Sequence, residues 1–271
     1  MKLKNVAKWG MMLCLSVCLS QCTLEEETYA LQDLKLSHTT ISGGICYQFE
    51  YDNQGRTTYV SCGDGENYEA TVGISYDPME ITETEYDDDG EKSDVTVYTN
   101  IKLNSDGYIT SASCTDYSYT DLIDDVTSQK IGTYVYLTEQ YSCTCTYDSE
   151  GHITRITTSG EEPTIFQWEN GNLISADDGE TKVTCTYLST PNTRNQWIPG
   201  QRISYDPLTI IGLLGKAPAN LIESDSETDY GYGLTNHTYA YQINKSGYVE
   251  KVKFKEDGIV GVMSCYYTNN K

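Results

Sequence analysis

Three groups of residues in this chain have types and spacings suited to binding or reaction. The densest is Tyr86-Asp87-Asp88-Asp89-Gly90-Glu91, whose carboxylate oxygens suit calcium. With Asp87 and Asp89 as third and fifth residues of an EF-hand loop, the twelfth is Thr96, where a bidentate Glu is required. The same residues satisfy a hairpin turn with Tyr86 four before Gly90, and the turn is the better reading. The second group is the cysteines. Beyond Cys14, Cys18 and Cys22 stand Cys46, Cys62, Cys114, Cys143, Cys145, Cys185 and Cys265, an odd number, so at least one lacks a partner within the chain. Cys143-Thr144-Cys145 puts two thiols on one strand face, as zinc would need, but no second pair matches it. His38, His152 and His237 are scattered, so no metal site is expected. The third group is the acids. Among 40 Asp and Glu no pair stands out as a general acid and base. Nucleophile-elbow, phosphate-loop and HExxH patterns are missing from the sequence, so neither catalysis nor a cofactor is expected.

The elements that position these groups announce themselves through a repeated turn. Tyr51-Asp52-Asn53-Gln54-Gly55-Arg56-Thr57, Leu103-Asn104-Ser105-Asp106-Gly107-Tyr108-Ile109, Tyr147-Asp148-Ser149-Glu150-Gly151-His152-Ile153 and Ile243-Asn244-Lys245-Ser246-Gly247-Tyr248-Val249 share one pattern. A type I turn ending in a left-handed residue explains the Gly in each, and the loop closes a β-hairpin with a Gly bulge. If Asp52 faces Arg56, Tyr47, Phe49 and Tyr51 share a face with Thr57 and Tyr59, while Gln48 and Glu50 take the other. The same register sets Cys46 opposite Cys62, which makes them a candidate disulfide. No other inferred turn brings cysteines together, and the rest read as small buried hydrophobes.

Period-two alternation predicts further strands over 69–76, 79–86, 95–103, 108–117, 133–147, 153–158, 164–168, 172–176, 181–188, 235–243, 248–254 and 259–267. Asn170-Gly171 and Asp178-Gly179 predict tight two-residue turns. The fold expected is all-β: an antiparallel meander of successive hairpins forming a curved sheet or partly closed barrel. Its one interruption is 208–222, the most apolar stretch past residue 21, which lacks alternation and reads as a short helical plug broken by Gly215 and Pro218. Tyr supplies 24 residues against 3 Phe, so much of the apolar surface ends in a hydroxyl that must find a partner or water.

The start of the chain reads as an export signal. Residues 1–21 carry three Lys, no acid and an apolar run through Met11 to Leu19, too short for a permanent bilayer span. Leu19-Ser20-Gln21-Cys22 resembles a bacterial lipobox, with Cys22 as the lipidated residue and membrane anchor; the alternative is an ordinary cleaved signal. Glu25-Glu26-Glu27 follows within an acidic tether, 22–32, of the kind found in surface-exported lipoproteins. Removing 1–21 takes the net charge from −22 to −25, which excludes nucleic acid as a partner. Lys251, Lys253 and Lys255 alternate along one strand and would blunt a sheet edge or line a solvated face.

No linker divides 33–271, so one domain is expected. Ile74-Ser75-Tyr76-Asp77-Pro78 recurs as Ile203-Ser204-Tyr205-Asp206-Pro207, suggesting an old duplication of about 46–140 and 141–271, with chance similarity as the alternative. The hairpin signature together with Leu214-Gly215-Lys216-Ala217-Pro218-Ala219-Asn220-Leu221 resembles the uncharacterised YD-repeat-like lipoproteins of Bacteroides-type bacteria. That resemblance implies a surface or periplasmic lipoprotein with no assigned activity. The expected function is a noncatalytic surface module for a glycan or protein ligand, with aromatics such as Trp168 or Trp197 stacking on sugar rings. The alternative is a periplasmic carrier or assembly factor holding lipid or lipoprotein over the plug.

Overall fold

The computed structural model describes residues 34–41, 44–63, 68–87, 89–123, 127, 129–199, 201, 207–229, 233–256 and 258–269. Residues 1–33 and residues 34–271 are two units, of which the second holds the described residues. The signal, Cys22, the acidic tether and most of the second Ile-Ser-Tyr-Asp-Pro segment lie outside the described residues.

The second unit is a meander of sixteen antiparallel strands that closes into a barrel. They are β1 (Lys35–Ile41), β2 (Gly44–Tyr51), β3 (Thr57–Gly63), β4 (Tyr68–Tyr76), β5 (Met79–Tyr86), β6 (Lys92–Leu103), β7 (Ile109–Ile123) and β8 (Lys130–Tyr147), followed by β9 (Ile153–Thr158), β10 (Thr164–Glu169), β11 (Asn172–Asp177), β12 (Thr181–Pro191), β13 (Asn220–Asp229), β14 (Gly233–Ile243), β15 (Val249–Glu256) and β16 (Ile259–Thr268). Each strand pairs with its sequence neighbours, and β1 pairs with β16, from Lys35 opposite Thr268 to Ile41 opposite Met263. β1 and β13 are the two strands the alternation pattern did not reveal, and β1 is the one that turns a curved sheet into a closed barrel. With the ring closed, β15 has β14 and β16 on either side, so Lys251, Lys253 and Lys255 line a solvated face rather than an edge.

The repeated loop has one design. In each copy the first-position Asp or Asn accepts from two main-chain amides: Asp52 from Gln54 and Arg56, Asn104 from Asp106 and Tyr108, Asp148 from Glu150 and His152, and Asn244 from Ser246 and Tyr248. Asp87 does the same with Asp89 and Glu91, so this acidic segment is a fifth copy of the turn. The fourth position needs Gly because its φ is +76° to +92°.

A bulge follows the loop in every copy, and it corrects the predicted register. Tyr51 pairs with Thr57, but Glu50 pairs with Tyr59; Tyr147 pairs with Ile153, but Thr146 with Arg155; Ile243 pairs with Val249, but Gln242 with Lys251. The extra residue shifts all later pairs by one. Val60 therefore stands opposite Phe49 and Tyr47 opposite Cys62, in place of the predicted Tyr59 and Cys46 assignments. Cys46 is itself the extra residue of a second bulge, where β1 pairs Thr39 with Tyr47 and Thr40 with Ile45. The two thiols still meet: both are free and hydrogen-bonded to each other.

Asn170 and Gly171 both have positive φ, as a two-residue hairpin turn demands. Asp178-Gly179 is different. Asp177 pairs with Lys182, so the loop runs over Asp178 to Thr181, held by the Asp178 carboxylate accepting from the Glu180 and Thr181 amides.

The interior is packed. Tyr47, Phe49, Val60, Val72, Ile74 and Ile81 form one cluster with Leu208 and Leu214 of the plug, and Ile198, Leu221, Ile222, Tyr239, Val252 and Met263 form another. The plug connects β12 to β13 and contains one helical turn, α1 (Pro207–Ile210). Its end differs from expectation, because Asn220, Leu221 and Ile222 already belong to β13.

Candidate functional site

Strands alternate in direction, so the connections after even-numbered strands gather at one end of the barrel, together with the start of β1. That end is rimmed inside by aromatic side chains that donate to main-chain carbonyls of the preceding strand. Tyr51 donates to Leu36, Tyr76 to Thr57, Tyr147 to Ile109, Tyr187 to Leu173, Tyr241 to Ile222 and Tyr267 to Val249, while the Trp168 indole donates to Ile153. Seven of the eight hairpins that start on an odd-numbered strand carry this link. In the remaining one, β5–β6, Tyr98 donates instead to the Glu83 carboxylate. The Tyr excess thus has a structural cause: each ring fills the core while its hydroxyl closes a main-chain acceptor.

The plug is tied to this rim. The Ile109 amide donates to Leu213, the Lys216 amide to Gly151 and the Ala219 amide to Gly171. Trp197, expected as a sugar platform, is buried beneath it at 6 % exposure, with its indole N–H donating to Gly215.

Above the plug lies an open cleft of about 530 Å³, lined by Asp148, Glu150, His152, Trp168, Asn170, Gly171, Asn195, Lys216, Ala217 and Ala219. The β8–β9 loop supplies its ionisable wall. The His152 Nδ1 donates to Asp148 Oδ2 at 2.9 Å, with Glu150 Oε2 at 4.0 Å from the same nitrogen. The imidazole is buried and stacks on Trp168, ring centroids 4.3 Å apart. Burial pushes the Asp148 carboxyl up, yet the amides of His152 and Glu150 and the imidazole together hold it below the ordinary carboxylate value. The opposite wall is the β10–β11 turn, where Asn170 projects from a left-handed residue, and Lys216 comes from the plug.

Sequence reasoning found Trp168 and Gly171 of this cleft and passed over His152. The signal was inside the repeat: the fifth loop position also carries Arg56, which pairs with Asp52 at 2.7 Å as His152 pairs with Asp148.

The cleft can accept and donate hydrogen bonds through carboxylates, amides and an ammonium, beside an aromatic ring. It offers no hydroxyl or thiol nucleophile among its lining residues. Its two carboxylates converge on one imidazole nitrogen, which makes them an ion-pair cluster rather than an acid and base held apart across a scissile bond.

Two other polar groups lie elsewhere. Asp225, 2 % exposed, accepts from His237 Nδ1 at 2.8 Å and from the Tyr239 hydroxyl at 2.7 Å, and His237 Nε2 reaches Glu256 at 3.3 Å. Cys114 and Cys143 sit diagonally across β7 and β8 with their sulfurs 3.8 Å apart, a contact the hairpin arithmetic missed. Cys145 lies apart from both in the core. Among the described residues no cluster of three or more His, Cys, Asp or Glu is arranged to hold a metal.

No family model matches the chain and no curated protein matches it, so the resemblance to YD-repeat-like lipoproteins has no counterpart there. Among solved structures, a porin-like protein from Bacteroides uniformis is 16% identical, with a TM-score of 0.47, over 86% of this chain and 98% of that one. A porin-like protein from Bacteroides vulgatus is 10% identical, with a TM-score of 0.37, over the same shares.

The outer face bears on how this barrel meets a bilayer. A membrane-spanning barrel turns an apolar band outward. Here Tyr47, Phe49, Val249 and Val252 are buried inside, and the alternating residues Gln48, Glu50, Lys251, Lys253 and Lys255 face solvent. Beside them β16 exposes Val260, Val262 and Tyr266, so the outer face is mixed.

Proposed function

We propose that the protein is a noncatalytic binding module of the bacterial envelope, anchored through a lipidated Cys22 to the outer membrane and facing outward, which takes a glycan in the cleft at the plugged end. The observation that carries this reading is the cleft's chemistry: one half-buried indole, Trp168, ringed by carboxylate, amide and ammonium groups with no hydroxyl or thiol among them. Sugar recognition uses that combination, an aromatic face for the ring and planar polar groups for the hydroxyls. The charged outer faces of β2 and β15 support a domain held beside the membrane rather than within it. The carrier alternative gains less support, because the plug fills the interior and the space beside Trp197, Ile198 and Leu221 is only about 10 Å³.

The experiment is a glycan array followed by calorimetry on the hit, with Glu150→Gln and Lys216→Met as cleft variants. Saturable binding weakened at least about tenfold by either change, roughly the loss of one charged hydrogen bond, supports the reading. An empty array, or a hit indifferent to both changes, overturns it. Anchoring is tested separately by acyl labelling that Cys22→Ser abolishes and by protease shaving of intact cells.

A further inference from the structure

The β7–β8 hairpin outgrows the barrel. β6 accompanies β7 only as far as Ser118, and β9 accompanies β8 only from Cys143, whereas β7 and β8 continue together to Ile123 opposite Lys130. Among the described residues, no strand pairs with β8 on its far side between Lys130 and Tyr141. This stretch is therefore an open sheet edge. Its residues are exposed on both faces, with Ile131 68 %, Tyr134 56 % and Leu137 52 % exposed, and Tyr134 and Tyr136 stack at 5.8 Å.

Edges of this kind are normally guarded by charge, proline or brevity. Segment 131–138, Ile-Gly-Thr-Tyr-Val-Tyr-Leu-Thr, has neither charge nor proline and is rich in β-branched and aromatic residues. It lies in a chain of net charge −22. A charged partner strand would find nothing along it to pair with, while an uncharged strand of matching alternation would. The strand that meets that description is the same segment of another copy.

We infer that β8 is a self-association edge, where two copies pair residues 132–138 antiparallel about a two-fold axis at Val135. That register sets Tyr134 of each copy opposite Tyr136 of the other and merges the two stacked pairs into one four-ring ladder, the kind of cross-strand contact that stabilises sheets most. The symmetry is isologous and closes at two copies. Elsewhere the copies repel through their negative charge, so association strengthens as salt screens that repulsion. The inference is independent of what the cleft binds.

Sedimentation velocity on the full chain carrying Cys22→Ser, so that no acyl group drives association, tests it. A monomer–dimer equilibrium shifted towards dimer at high salt is expected. Tyr134→Glu with Tyr136→Glu, and separately Tyr134→Lys with Tyr136→Lys, each weaken the dimer at least about tenfold by placing like charges opposite one another. An equimolar mixture of the two variants restores a dimer. Unchanged far-UV dichroism and melting show that each variant is folded. A chain monomeric at every salt and concentration, a dimer untouched by both double variants, or a mixture that stays monomeric overturns the inference.

Discussion

The Tyr51 hydroxyl donates to the main-chain carbonyl of Leu36 at 2.8 Å, joining the end of β2 to the start of the neighbouring β1 at the barrel mouth. Six further aromatics repeat the link around the rim, so replacing one hydroxyl strands a carbonyl in the core. Tyr187→Phe is expected to lower stability by about 1 kcal/mol and up to about 3 if water does not reach Leu173. Tyr136→Phe, on the open part of β8, is expected to change it by less than about 0.5 kcal/mol. Urea denaturation of each variant against the wild type, at low salt where the copies repel, measures both.

The same burial sets an alkaline limit. Burial raises the Tyr51 hydroxyl from 10.0 to about 12, with the Thr57 hydrogen bond opposing it, and burial also raises Tyr76 and Tyr147. The folded state thus keeps its protons where the unfolded chain loses them. These groups contribute their full stability below pH 10, and the contribution is lost as pH climbs from 10 through about 12. Tyrosinate absorbance that rises together with loss of β-dichroism in that window is the expected result; early, structure-neutral titration of all the tyrosines would contradict it.

Cys143 is expected to be the reactive thiol. The Cys114 thiol donates to its sulfur, which outweighs burial and lowers Cys143 to about 7, while Cys114 is driven upward in return. Alkylation mapped by peptide mass analysis should label Cys143 ahead of Cys185 and Cys265, which burial pushes up to about 12. Cys114→Ala should slow Cys143 labelling near neutral pH.

Two loop glycines separate backbone strain from crowding. Gly107 has φ +87° with open space around an added Cβ, whereas Gly247 has φ +85° and a Cβ there would strike the Thr193 hydroxyl. Gly107→Ala is expected to cost about 1 kcal/mol from the left-handed backbone alone. Gly247→Ala costs more, read as a lower denaturation midpoint.

Alternation and the Asx-Gly loops carried most of the architecture, because both are local: a two-residue period and a five-residue turn are complete within a single hairpin. What they left out was non-local. The bulge beside each loop leaves no mark in residue type, as Thr58 and Thr154 look like any strand residues, yet it moves every later pair. β1 was passed over because Ser37, His38, Thr39 and Thr40 resemble a linker until β16 lies beside them. The cleft was half legible. Trp168 and Gly171 stood out, but His152 gains its meaning only when the β8–β9 loop, the β10–β11 turn and the plug converge, and Trp197 vanished under that same plug.

Pairing of β1 with β16 makes the opening residues of the barrel wait for nearly the last ones before their ladder exists. A ribosome must therefore release almost the whole domain before closure, and a chain truncated at residue 258 would strip partners from β1 and β15 at once. The same proximity of Lys35 and Thr268 predisposes the domain to circular permutation: a short linker joining the ends, with new termini cut at the Asp178–Thr181 loop, preserves every rung of the sheet.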